Sequence, residues 1–168
     1  MHTFKPYLLL LFTLVLLLAC CNEQSKQGTT PAAQAPEAKT YNWKLVTTWP
    51  PNFPIFQEGV ERFADEVKTL SNGRLNIKVY AGGELVPPLQ AFDAVSQGTV
   101  EMGHGAAYYW AGKIPAGQFF TAVPFGLNAQ GMYAWLYGGG GLELWRDLYK
   151  KHNLVPFPMG NTGVQMGG

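Results

Sequence analysis

The chain is short of cysteine, of net charge and of every compact motif that marks an enzyme, and each shortage removes a class of function. Its 168 residues include 2 cysteines. They are adjacent, Cys20 and Cys21, so any domain after them has no disulfide, no thiolate metal site and no cysteine nucleophile. Charged residues are 14% of the chain and the formal net charge is +1. With no basic patch interleaved with aromatics, nucleic acid is not an expected partner. The Gly-x-Ser-x-Gly elbow, the Gly-Lys-Ser/Thr phosphate loop and the His-Glu-x-x-His zinc motif are all absent. Gly138, Gly139, Gly140 and Gly141 lack the lysine of a phosphate cradle and follow no strand, so they read as a helix stop. Asp93 and Glu101 have no visible partner, and nothing in their spacing points to acid–base chemistry.

What the sequence does have begins at its N-terminus. Lys5 precedes an apolar run over 7–18, and the small Ala19 stands before Cys20, the order of a secretory signal. The run is shorter than the roughly 20 apolar residues of a spanning helix. Leu17-Leu18-Ala19-Cys20 also resembles the bacterial lipobox, whose cysteine is lipidated and becomes the mature N-terminus. Residues 1–19 are therefore expected to be a lipoprotein signal peptide, Cys20 the lipidated residue, and Cys21 a bystander. The chain is then expected outside the cytoplasm, periplasmic, with a lipid anchor in the membrane. Residues 20–40 are rich in Gln, Ser, Thr, Pro and Ala and cannot bury enough apolar surface to fold; they read as a disordered tether.

From Tyr41 onward the pattern becomes that of one folded domain. Residues 42–49 mix β-branched and aromatic side chains and stop at Pro50-Pro51, which predicts a strand. After Asn52, read as a cap, Phe56, Val60, Phe63, Ala64, Val67 and Leu70 recur at helical spacing up to Asn72-Gly73. Glu58 and Arg62 are spaced to pair across one turn of that helix. A strand over 74–81, a short helix after Pro87-Pro88 and a brief strand over 100–103 follow. Helices are predicted over 129–137 and 142–151, with His152 complementing the dipole at the second one's end. A last strand is predicted over 154–159, where Pro156 and Pro158 argue for an edge or a crossing segment. Alternating strands and helices predict an α/β fold, a mostly parallel sheet flanked by helices.

In such sheets a ligand lies beyond the carboxyl ends of the strands. The loops there offer Thr48 and Trp49, then His104 with Tyr108, Tyr109 and Trp110, then Asn161, Thr162 and Gln165. Aromatic walls with amide and hydroxyl donors suit a small polar organic ligand. Each residue has a plainer reading. Trp49 beside two prolines is a ligand wall or a packing plug, and Asn161 is a ligand contact or a turn residue. His104, between two glycines, is a polar lip of the cleft or a satisfied, half-buried histidine. No second histidine stands at metal-ligand spacing.

Three stretches together resemble a known family. Gly82-Gly83-Glu84-Leu85-Val86-Pro87, the run from Ala91-Phe92-Asp93-Ala94-Val95 to Val100-Glu101-Met102-Gly103, and Gly160-Asn161-Thr162-Gly163-Val164-Gln165-Met166-Gly167-Gly168 are similar to the extracytoplasmic solute-binding proteins of TRAP transporters, the DctP type. The likeness is to the branch that takes 2-oxo acids and lactate. It implies a type II periplasmic-binding-protein-like fold whose lobes close on a small organic acid and deliver it to membrane permease subunits. Residues 41–168 would be the incomplete N-terminal lobe, with the second lobe largely missing. The resemblance gives Gln165 a role in holding a cation, sodium or calcium, that bridges to the ligand, with no prosthetic group. Tyr108, Tyr109, Asn161 and Trp49 are the expected ligand contacts. Family members continue through an arginine that grips the substrate carboxylate, and this chain stops before that position. A different reading is a cell-envelope lipoprotein enzyme whose catalytic residues lie in a missing C-terminal half; a third is an interaction lipoprotein without a ligand.

Overall fold

A computed structural model describes residues 39–163. The expected signal peptide, Cys20, all but the last two residues of the 20–40 tether, and Gln165 lie outside the described residues. Strand β1 (Tyr41–Thr47) is joined through helix α1 (Phe56–Leu70) to β2 (Leu75–Tyr80). A short helix α2 (Ala91–Ser96) then leads to β3 (Met102–His104). Two 3-10 segments follow, Ala107–Trp110 and Pro115–Phe120, and then helices α3 (Ala129–Gly138) and α4 (Gly141–Lys150). The sheet has the order β2-β1-β3, and both pairings are parallel. Among the described residues no helix is long and apolar enough to cross a membrane.

Strand β1 is exposed where it starts and buried where it ends: Leu45, Val46 and Thr47 are 3%, 2% and 1% exposed. Its carboxyl end is therefore the part held by packing. Helix α1 covers the sheet with Val60 and Ala64, while Glu58, Glu61, Arg62, Asp65, Glu66 and Lys68 stay exposed. A buried valine of this kind contributes roughly 1.5–3 kcal/mol through lost apolar surface. The rest of the core sets aromatic rings among aliphatic side chains such as Val100, Ile114, Leu136 and Leu142. Phe120 is sandwiched between Trp135 and Trp145, with ring centroids 5.5 and 5.4 Å away and planes within 13° and 4°. Phe92 meets Trp110 and Tyr149 at 5.5 and 6.0 Å.

Several local expectations are corrected. Asn52 does not cap α1: it has φ 59°, and the residue before the helix is Ile55, at φ 67° with no side-chain cap bond. Arg62 pairs with Glu66 at 3.4 Å rather than with Glu58, and Leu70, placed on the apolar stripe by its spacing, is 87% exposed at the last residue of α1. Asp93 and Glu101 are not idle: Asp93 pairs with Lys113, and Glu101 accepts the Lys44 backbone N–H at 2.7 Å. His152 does not simply serve a helix end; its ring meets Phe92 edge-on at 5.5 Å and its carbonyl accepts the Ser96 hydroxyl. Residues 154–163 form no strand, although Pro156 is buried and Val155 and Phe157 face outward.

The glycine run is explained by sterics. Gly140 has φ +82°, and a Cβ on Gly141 would fall 2.7 Å from the Trp135 ring. Gly141→Ala is therefore expected to cost about 1–3 kcal/mol by overpacking. Gly59, inside α1 with nothing within 4 Å of its notional Cβ, is the opposite case: Gly59→Ala should gain about 0.5–1 kcal/mol. Urea unfolding midpoints of the two variants, moving in opposite directions from the parent, check both.

Candidate functional site

The register places Thr47 opposite His104, so the central strand and β3 finish level. From its carboxyl end β1 turns through α1 to one side of the sheet, whereas β3 lies on the other. A strand with neighbours reached on opposite sides is the kind of switch point at which open α/β sheets bind ligands. The backbone continues the pairing one step further, since the Thr48 N–H donates to the His104 carbonyl at 3.0 Å.

Side chains then lock the two ends. The Trp49 indole Nε1–H donates to His104 Nδ1 at 2.8 Å. Trp49 is only 7% exposed, with Phe56 stacked at 4.6 Å, Phe53 at 5.6 Å and Tyr109 tilted at 5.7 Å. Beneath it the Thr47 hydroxyl donates to Gln57 Oε1 at 2.7 Å, and Gln57 Nε2 donates to Glu61 at 2.8 Å. Thr47 and Gln57 are almost wholly buried, so the bond between them satisfies polar groups that water cannot reach. Gly105 supports this corner: a Cβ there would lie 2.7 Å from both Thr48 Cγ2 and Trp110 Cη2.

The three consecutive aromatics divide as their 3-10 turn requires. Trp110 is buried and its Nε1–H donates to the Leu89 carbonyl at 2.8 Å, while Tyr108 and Tyr109 stand 40% and 37% exposed at the rim. Their rings meet edge-on at 4.7 Å. Burial, assisted by the hydroxyl of Tyr108, pushes the Tyr109 phenol up to about 12, which keeps it a neutral donor.

The segment 159–163 reaches the same rim. Gly160, at φ +81°, lies against the Phe56 ring so closely that a Cβ would sit 2.7 Å from Cδ1, and His104 Nε2 is 4.0 Å from that same point. Asn161 comes next and is exposed; its Oδ1 accepts the Gly163 N–H at 2.7 Å, a local turn bond. The Asn161 amide nitrogen makes no protein hydrogen bond among the described residues. Of the expected contacts, Tyr108, Tyr109 and Trp49 are thus gathered in one cluster and Asn161 joins it through Gly160. The role of Gln57 and the partner of His104 escaped sequence reasoning, although a satisfied, half-buried histidine was one of the two readings of His104. Gln57 stands three residues before Val60 on the apolar stripe of α1, a signal that was available.

The group carries no formal charge. His104 is held below its ordinary value of 6.5 by burial, against a smaller upward pull from the Met159 backbone. Among the described residues no three His, Cys, Asp or Glu side chains come together to hold a metal. A hollow lined by Asp65, Lys68, Thr69, Asn72 and Gly73 lies at the other pole, near the start of β1.

Comparison with known proteins identifies the family. Residues 45–168 match the model of the bacterial extracellular solute-binding protein family 7, DctP. A monocarboxylate 2-oxoacid-binding periplasmic protein of Nostoc sp. is 52% identical over 142 residues, which are 84% of this chain and 38% of that one. A TRAP periplasmic solute-binding protein from Pseudoalteromonas atlantica, solved with bound sodium and pyruvate, is 48% identical with a TM-score of 0.75, covering 77% of this chain and 40% of its own. Another from Colwellia psychrerythraea, solved with bound calcium and pyruvate, is 46% identical with a TM-score of 0.70, covering 71% and 37%. The chain therefore spans about two fifths of the length of these relatives.

The lowered His104 value has a signed consequence for stability. Between its folded value and 6.5 the unfolded chain binds the proton more readily, so stability rises with pH across that window. The contribution is complete above 6.5 and is lost as pH falls towards the folded value. Urea midpoints are expected to be level from pH 8 to 7 and to fall below about 6.5, and in His104→Asn that fall should be smaller.

Proposed function

The chain belongs to the bacterial extracellular solute-binding proteins of family 7, and from that membership we propose that it supplies one half of a receptor for a small 2-oxo or 2-hydroxy acid such as pyruvate or lactate. The receptor would hand the acid to the membrane permease subunits of a TRAP-type transporter. Cys20 would carry the lipid that keeps it at the membrane, outside the cytoplasm.

The observation that carries this reading is the uncharged rim at the strand carboxyl ends. Tyr108 and Tyr109 offer hydroxyl donors and Asn161 an amide donor, beside the apolar faces of Trp49 and Phe53. A short acid with a small alkyl tail matches that mixture, its oxygens on the donors and its tail on the rings. A carboxylate held there leaves water without a cationic side chain to replace it, and that desolvation is costly. A bridging sodium or calcium ion would supply the missing charge.

The donors fit such an ion. Hard cations accept neutral carbonyl and amide oxygens, and the extended segment 159–163 has no paired strand to occupy its carbonyls. Gln165, two residues beyond it, would add a side-chain oxygen. The ion, when bound, would contribute positive charge; Tyr108, Tyr109 and Asn161 orient the acid against it, and Trp49 backs the tyrosines.

A chain spanning about two fifths of the length of its relatives should, taken alone, bind feebly. Titrating the purified chain with pyruvate by calorimetry or NMR is expected to give a Kd on the order of millimolar. Binding should weaken when sodium and calcium are both replaced by a large organic cation, and again in Asn161→Ala. Binding indifferent to the cation, or tight binding by this chain alone, would contradict the reading.

A further inference from the structure

We propose that a buried water-binding site lies beside Gly117, where one water molecule fastens helix α4 to the 3-10 turn that carries Tyr108 and Tyr109. Trp145 and Tyr149 stand one turn apart on α4 and are 8% and 6% exposed. Neither the Trp145 indole Nε1–H nor the Tyr149 hydroxyl has a hydrogen-bond partner among the described residues. Native folds leave few such groups orphaned, because each has been stripped of solvent with nothing in exchange.

The two side chains cross at 87° with ring centroids 5.7 Å apart. Burial raises the Tyr149 phenol above its ordinary 10, so it keeps its proton at neutral pH, and the nearby indole draws it partly back. No hydrogen bond closes directly between them. Facing Tyr149 is Gly117, itself buried in the 3-10 segment Pro115–Phe120. A Cβ added to Gly117 would have as its nearest neighbours the Tyr149 oxygen at 3.5 Å, the Ala107 carbonyl oxygen at 3.6 Å and Ile114 Cβ at 3.7 Å. The missing side chain thus leaves room between a hydroxyl and a carbonyl that belong to different elements.

The chemistry of these groups selects the occupant. An indole can only donate, a carbonyl can only accept and a hydroxyl does either. An anion could give no proton to Ala107, and a cation could take none from Trp145. Water does both, is small enough for a one-carbon recess, and makes about three hydrogen bonds when buried. The Ala107 carbonyl shares its peptide unit with the Tyr108 N–H, and Tyr108 and Tyr109 follow in the same turn. The water would therefore hold the base of the tyrosine rim against α4 while touching neither tyrosine.

Oxygen-17 relaxation dispersion of the full chain, which counts long-lived internal waters, tests this together with Gly117→Ala. The methyl group takes the room beside Tyr149, so the variant should hold one such water fewer than the parent. Its urea midpoint should also fall. Gly117 is outside the left-handed region, so alanine in a dry recess would raise the midpoint instead. In two-dimensional NMR, Tyr149→Phe should shift the Tyr108 amide, although the oxygen it removes bonds to no described residue. An unchanged water count, a raised midpoint in Gly117→Ala or an unmoved Tyr108 amide in Tyr149→Phe would overturn the proposal. If Gly117→Ala does not fold, a crystal structure of the parent decides it. Water within hydrogen-bond reach of both Trp145 Nε1 and Tyr149 Oη supports the site; a direct bond between those atoms, or a dry recess, rules it out. No ligand enters these measurements, so failure to detect pyruvate binding would tell against the receptor and leave the water site standing.

Discussion

The molecule depends on the parallel register that brings β1 and β3 to an end side by side. Shift it by one residue and every side chain of β1 changes face. Thr47 would leave Gln57, and Trp49 would no longer meet His104. As built, Thr47 is opposite His104, the Thr48 N–H bonds across to the His104 carbonyl, and the indole bond closes the corner at 2.8 Å. Helix α1 fixes the register from outside, because Gln57 in its first turn is the buried partner of Thr47. Secondary structure, burial and the rim are therefore consequences of a single alignment.

Charge shapes the chemistry that this alignment can support. The rim is aromatic and amide, its histidine is kept neutral by burial and the phenol of Tyr109 is also neutral. Such a surface gives orientation and shape but little affinity for an anion. In the proposed receptor such a surface would set the geometry, and a cation or an opposing part would supply the charge.

Much of this was legible in the residues. The spacing of Val60 and Ala64 and the stop at Asn72-Gly73 predicted α1, and the alternation of strand and helix predicted a parallel sheet. The strand-end rule pointed to Trp49, Tyr108 and Tyr109, which do cluster. What failed was whatever depended on distant partners. Residues 154–159 have the alternation of a strand, but Pro156 and Pro158 cannot donate and no neighbour pairs with them. His104 is half-buried and hydrogen-bonded, as one of its two readings had it, but its partner, Trp49, is 55 residues away, a separation that no local pattern records. Asp93 and Glu101 seemed idle for the same reason, since Lys113 and the Lys44 backbone are brought to them only by the fold.

The central claim is that the working surface is the rim at the strand carboxyl ends. Mapping backbone amide shifts on a sodium pyruvate titration tests it most directly. The account predicts that the largest changes fall on Tyr108, Tyr109 and Asn161, with Thr69 and Asn72 at the opposite pole unmoved. Changes centred on that opposite pole, or spread evenly over the chain, would contradict it.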